Sequence, residues 1–302
     1  MLEQILKDCN YVKDHSKDVK IRYDIIDSFL NDFQESKFWL SNNPFHVLDL
    51  PYEKQVLFLL VYHTIGNYCF WGNPKWEIST REGKLDGSYA MIFLILEELK
   101  KRDDFRLSYE EFQNLLKGNV EIPLLEERYQ ELCQLNSYLD NHSFLEETRS
   151  FNDDESLFSY LVAHFPYFED VSVYEGRKIH FYKRAQLFTS DLLHIKAMHG
   201  IEVDTSHLIG CADYKIPQVL NCYGMLEYSE ELEKKVANAE EILEGSTMEV
   251  EIRANTLVVI DYIYRKLNGK MSRIDINDSI WLFGQDKSKI KKLYHHTKTS
   301  HY

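Results

Sequence analysis

Apolar positions recur at helical spacing along most of this chain. Residues 22–33 read as an amphipathic helix, and residues 53–68 as a second one so apolar on every side that it belongs in a core. Gly87 opens the apolar segment "SYAMIFLILEELKK", whose charges gather at its C-terminal end. In "LSYEEFQNLLKG", Ser108 stands as a capping residue with Glu111 three positions on and Gly118 past the end, the signature of a short helix. "PLLEERYQELCQLNSYL" predicts another, with Pro123 at its first position. Helical spacing returns in "EVEIRANTLVVIDYIYRKL" and in a short helix around Trp281, before a basic tail. Two stretches break the pattern. "CFWGNPKWEISTREGKLDG" is rich in turn formers, and residues 169–183, "EDVSVYEGRKIHFYK", alternate about Glu175-Gly176, which suits a small β-hairpin as well as a helix. The expectation is a mainly α fold, one helical domain over residues 1–302 with room for a small β-hairpin.

Composition supports this. Among 302 residues there are only 12 Gly and 6 Pro, few breakers for so long a chain. Net charge is −14, the wrong sign for a long polynucleotide groove, so a small-molecule partner fits better than direct nucleic-acid binding. The five cysteines are scattered, odd in number and never spaced as CxxC, which points to reduced thiols in a cytoplasmic protein. The most apolar run, "QVLFLLVY", is too short to span a bilayer, so no membrane role is expected. No P-loop, GxGxxG, HExxH or GxSxG motif is present, which removes the common NTPases, dinucleotide enzymes, zinc proteases and serine hydrolases from the front rank.

Some residues remain as candidates for chemistry. In "HFYKRAQLFTSDLLHIK", a helix over 181–195 places Lys183 opposite an apolar stripe of Phe181, Ala185, Phe188, Leu192 and Ile195, on the solvent side. If the hairpin persists to 183, the lysine instead shares a face with Ile179 and Phe181. Long charged side chains are almost always solvated, so pattern favours a surface lysine. In "GCADYKIPQVLNCYG", Pro217 suits the first turn of a helix that Gly224 ends, leaving Asp213 in the entering loop as a cap or a reactive carboxylate. Phe70, Trp71, Trp76 and Tyr89 read as core or as a stacking wall for a flat ring. Glu251 and Arg253 in "EIRA" suit a surface ion pair of little worth. The closing "LYHHTKTSHY" reads as a mobile basic tail or a phosphate contact.

Taken together and in order, "NYCFW", "GSYAM", "PLLEER", "FPYFEDVSVYEGRKIHFYKRAQLFTSDL", "ADYKIPQVL", "EVEIRA" and "LYHHTKTSHY" resemble the queuosine salvage family, the queuosine 5′-phosphate N-glycosylase/hydrolases. "FYKRAQ" paired with "ADYKIPQVL" is the specific part of the match. The resemblance implies hydrolysis of the N-glycosidic bond of queuosine 5′-monophosphate, releasing queuine for reuse in tRNA. It also implies a fold related to helix-hairpin-helix DNA glycosylases, no metal or other cofactor, and a monomer acting on a free nucleotide. The family's catalytic pair falls on Lys183 and Asp213. Substrate-binding candidates are Phe70, Trp71, Tyr89, Tyr214, Glu251, Arg253, Trp281 and His295. The family pattern is departed from at His296 and Lys298, where arginines are common, and at His63-Thr64, where an acidic residue often stands. The rival readings are a glycosidase for another purine or deazapurine nucleoside or nucleotide or for damaged DNA, and a non-catalytic helical module that holds a nucleobase or nucleotide.

Overall fold

The computed structural model describes residues 1–30, 38–42, 45–81 and 83–302. Among them are thirteen α-helices: α1 (Leu2–His15), α2 (Tyr23–Phe29), α3 (Tyr52–Ile65), α4 (Gly87–Leu99), α5 (Tyr109–Leu115), α6 (Leu125–Leu139), α7 (Phe144–Glu147), α8 (Asp154–His164), α9 (Lys183–Met198), α10 (Lys215–Cys222), α11 (Glu230–Ala237), α12 (Thr247–Lys266) and α13 (Arg273–Phe283). Three antiparallel strand pairs accompany them: β1 (Val19–Ile21) with β6 (Leu226–Tyr228), β2 (Glu77–Thr80) with β3 (Gly83–Asp86), and β4 (Val171–Tyr174) with β5 (Arg177–His180). The fold is mainly α. No helix among the described residues is long and apolar enough to cross a membrane.

The helices pack in two groups. In one, α12 is buried along most of its length and lies against α1, α10 and α13. In the other, α3 packs on α4, α6 and α9, with α8 against α9. Segment 169–183 resolves as hairpin and helix in succession. Glu175 and Gly176 both take positive φ (48° and 78°), the two-residue turn that matches strand twist. The chain then leaves β5 at His180 and enters α9 at Lys183.

Several expectations need correcting. Pro123 lies two residues ahead of α6, because Leu124 adopts the left-handed conformation (φ 58°) and the helix starts only at Leu125. The turn-rich stretch after Trp71 forms the β2–β3 hairpin, with Glu77 opposite Asp86. The helix expected over 22–33 is described as α2; residues 31–33 lie outside the described residues. The tail at 293–302 is packed down, with His295, Thr297, Thr299 and Tyr302 buried.

Helix α9 is buried on its polar side as well as its apolar one, including Lys183, Arg184, Gln186, Thr189, Ser190, Asp191 and Lys196. Arg184 shows why this is tolerable. Its guanidinium forks onto Glu131 of α6 (3.1 and 2.7 Å) and donates to the carbonyls of His63, Thr64, Tyr167 and Ser300. One cation thus ties α9 to α6, to the end of α3 and to the tail. Glu131→Ala leaves that buried guanidinium without its counter-charge, and is expected to cost about 3–5 kcal/mol in urea unfolding, with Glu131→Gln costing less.

Candidate active site

Lys183 is placed by its own backbone. The carboxylate of Asp170, just before β4, accepts from the Lys183 N–H at 3.0 Å, and the Asp170 carbonyl accepts from the N–H groups of Phe181 and Tyr182. A negative charge thus meets the exposed N–H groups where α9 begins. The same carboxylate is gripped by both Nη atoms of Arg253 on α12, at 2.9 and 2.6 Å, and this guanidinium lies over the rings of Phe181 and Tyr302. Burial alone would raise the Asp170 carboxyl; Arg253 outweighs it and holds the group below its usual range.

Asp213 is placed by the loop that precedes α10. Gln186 of α9 accepts from the N–H groups of Ile209 and Gly210, and Asn277 of α13 accepts from that of Cys211. Gly210 has φ +123°, and a Cβ there would stand 3.0 Å from Ile260, so the tight approach to α12 requires glycine. Asp213 Oδ1 then accepts from the Ile216 N–H at 2.9 Å. It is therefore both a helix cap and a group facing the cavity, since one carboxylate oxygen suffices for the cap.

The two meet in one cavity of about 230 Å³. Burial lowers the Lys183 pKa and raises that of Asp213, and each is the strongest influence returning the other to its charged form. The surface-lysine reading is overturned: Lys183 is 3% exposed, because the polar face of α9 is covered as well, Lys183 meeting Asn67, Arg184 meeting Glu131 of α6 and Asp191 meeting His63 of α3 and Trp39. Its ammonium donates to the Asn67 side chain at 2.7 Å and to the Asn67 carbonyl at 3.2 Å.

Of the other candidates, Phe70, Trp71, Tyr89, Tyr214 and Trp281 line the same cavity. Trp71 is held by its indole N–H on the Thr297 carbonyl and by stacking on His296 (4.8 Å, 8°). Tyr214 also donates to Thr297, so the packed tail braces the aromatic wall. Three candidates do not line the cavity. Arg253 sits behind it, on Asp170 and Tyr302. His295 is buried behind Tyr214 and Tyr302, its pKa pushed down to about 3 by burial, then by Arg253 and His296. Glu251 accepts from the N–H groups of Lys17, Asp18 and Val19 and from the Tyr174 hydroxyl, fastening the turn after α1. The surface ion pair expected in "EIRA" is therefore absent, because α12 is buried and each charge has separate partners. Trp76 is core, its indole N–H on the Leu116 carbonyl.

Sequence reading missed Asn67, Asp278 and a group of lysines. Asp278 precedes Trp281 by three on α13 and so shares its face, a spacing that would have found it. Burial, and then Asp191, push its carboxyl up to about 7. Lys75, Lys215 and Lys287 stand along the more exposed rim. Burial lowers the Lys215 pKa, Asp213 opposes this, and Lys75 and Lys287 lower it further; Asp86 on the same rim pairs with Lys75 at 2.9 Å, so the rim sets three cations against one carboxylate.

A cavity walled by aromatic rings and rimmed by lysines suits a single flat, ring-bearing molecule with an anionic end, which puts the chain among mainly helical proteins built around a small-molecule site. Residues 45–302 match the family described as queuosine salvage protein, and the chain belongs to that family. It is 32% identical to the queuosine 5′-phosphate N-glycosylase/hydrolase of Sphaerobacter thermophilus, over 78% of each chain. The proteins of the same name from Dictyostelium discoideum and Bos taurus are 28% and 30% identical; the first match covers 96% of this chain and 95% of the relative, the second 65% and 64%.

The Asp278 carboxyl carries a stability prediction. A carboxyl raised from 3.8 to about 7 on folding keeps a proton that the unfolded chain has released, so it makes stability fall as pH rises between those values. Asp278→Asn removes that fall. Urea unfolding should show the variant gaining on the wild type by up to about 3 kcal/mol between pH 5 and pH 8.

Proposed function

We propose that this protein hydrolyses the N-glycosidic bond of queuosine 5′-monophosphate and releases queuine. The observation that carries the reading is that Asp213 and Lys183, each the main charge acting on the other, both line one aromatic-walled cavity in a member of the queuosine salvage family. N-glycoside cleavage passes through an oxocarbenium-like sugar. A carboxylate near the anomeric carbon is worth more there than in the ground state. At about 4 Å and an effective dielectric near 20, the attraction is roughly 4 kcal/mol, or about three powers of ten in rate.

Each group has a role in this reading. Asp213 faces the anomeric carbon and orients the attacking water. Lys183 keeps Asp213 ionised, for without it burial would favour the protonated and inert form. Trp71, Phe70, Tyr89, Tyr214 and Trp281 stack on or enclose the deazaguanine ring. Asp278 receives the cationic amine of the queuine arm, because it lines the cavity, as the candidate Glu251 does not, and is free of the roles given to Asp213. Lys215 and Lys287 take the 5′-phosphate, whose charge relieves their mutual repulsion, with Lys75, paired with Asp86, beside them. The chain acts as a single domain, as a cytoplasmic monomer, on a free nucleotide rather than on nucleic acid; its net charge of −14 favours a small substrate with a cationic arm.

Purified protein incubated with queuosine 5′-monophosphate is expected to release queuine, followed by mass spectrometry, with Asp213→Asn losing roughly a thousandfold in kcat. Nucleotide binding without base release would leave only a binding module. Lys215→Ala together with Lys287→Ala should raise KM for the monophosphate about tenfold and leave the unphosphorylated nucleoside nearly unaffected. Equal effects on both would remove the rim lysines from phosphate binding.

A further inference from the structure

Lys183 ends a line of buried hydrogen bonds. Its ammonium donates to Asn67 Oδ1 (2.7 Å); Asn67 Nδ2 lies 3.0 Å from His63 Nδ1; His63 Nε2 lies 2.9 Å from Asp191 Oδ2; and the Trp39 indole N–H donates to Asp191 Oδ1 at 2.8 Å. His63 and Asp191 are wholly buried (0% exposed), and both ends, Lys183 and Trp39, line the cavity.

The direction of every bond follows from the two ends. An ammonium only donates, so Asn67 must turn its oxygen to Lys183 and its NH₂ to His63. His63 Nδ1 is then an acceptor, and the ring proton sits on Nε2, facing Asp191. The Trp39 indole also only donates. Asp191 therefore receives two N–H groups, the environment of a carboxylate rather than an acid. The imidazole cannot turn away, being stacked on Phe188 (4.8 Å, 9°) and set edge-on to Tyr62 (5.4 Å, 72°).

Charge agrees with this order. Burial, then Lys183 and Arg184, push the His63 pKa well below its ordinary value, so the ring is neutral. Burial raises the Asp191 carboxyl to about 7, against the pull of Trp39, His194 and Lys183. Above that pH the line carries one negative charge at Asp191 and one positive at Lys183, joined by two neutral dipoles. The groups facing Lys183 are Asp213 and Cys211 from the loop before α10, Arg184 on α9 and Arg253 on α12. Those facing Asp191 include His194 on α9 and Asp278 on α13.

We propose that Asn67, His63 and Asp191 are positioning residues: the Asp191 carboxylate, acting through neutral His63 and Asn67, keeps the Lys183 ammonium charged and fixed beside Asp213. Two of the ammonium's donors go to Asn67, which leaves the third for the cavity. A direct ion pair would hold the charge equally well but would occupy that N–H.

The test joins NMR to kinetics. Long-range ¹H–¹⁵N spectra of the wild type above about pH 7.5 should show His63 protonated on Nε2 alone. The titration of the Lys183 ε-methylene should move down by about one unit in Asp191→Asn, since losing a negative partner favours the neutral amine, and in the same direction in Asn67→Ala. These readouts need no turnover, whereas the kinetic arm rests on the proposed cleavage, so failure of that activity is separable from failure of the relay. With activity in hand, the alkaline limb of kcat should shift to lower pH in both variants, with kcat falling roughly tenfold and KM changing far less. If Asp191→Asn does not fold, Asn67→Ala at the other end of the line decides. A His63 proton on Nδ1, or an unmoved Lys183 titration in Asn67→Ala, overturns the proposal.

Discussion

The Asp170 carboxylate is where the hairpin, the helix bearing the lysine and the central helix are joined. It accepts from the first N–H of α9 and from both arms of Arg253 on α12, while its own residue leads into β4. Breaking such a buried pair strands a charge, at a cost of about 3–5 kcal/mol. Its geometry matters as much as its energy. The carboxylate fixes where α9 starts, and the start of α9 is Lys183. Arg253 in turn carries the rings of Phe181 and Tyr302, the second of which forms part of the cavity wall.

The same arrangement recurs through the molecule: buried polar side chains, charged or not, place backbone. Arg184 gathers four carbonyls from three segments, Gln186 holds the loop before Asp213, and Glu251 closes the turn after α1. None of these side chains lines the cavity, yet together they position the groups that do. In the cavity the balance is different. Lys183 and Asp213 are each pushed toward neutrality by burial and drawn back by the other, which leaves them responsive to whatever enters.

Legibility in the sequence followed the range of the forces. The capping box at Ser108 and Glu111, the helix holding Trp281 and the turn at Glu175-Gly176 are local, and each stands where pattern puts it. Pro123 misled because the choice between helix start and turn was made by Leu124 going left-handed. The β2–β3 hairpin was missed because turn formers mask short strands. Lys183 was hardest: α9 is enclosed on all sides, so a helical stripe, which assumes one wet face, assigned it to solvent.

By itself the sequence determined a mainly helical chain, a lysine and a carboxylate in segments specific to one family, and a set of aromatic rings for a wall. Only the tertiary structure decided which polar residues face the cavity and which hold its frame. It separated Arg253, Glu251 and His295 from the cavity lining and brought Asn67, Asp278 and the rim lysines into it. The reason is physical: a buried charge is defined by partners far away in sequence, and no local spacing encodes the partner of Arg253 at Asp170, 83 positions earlier.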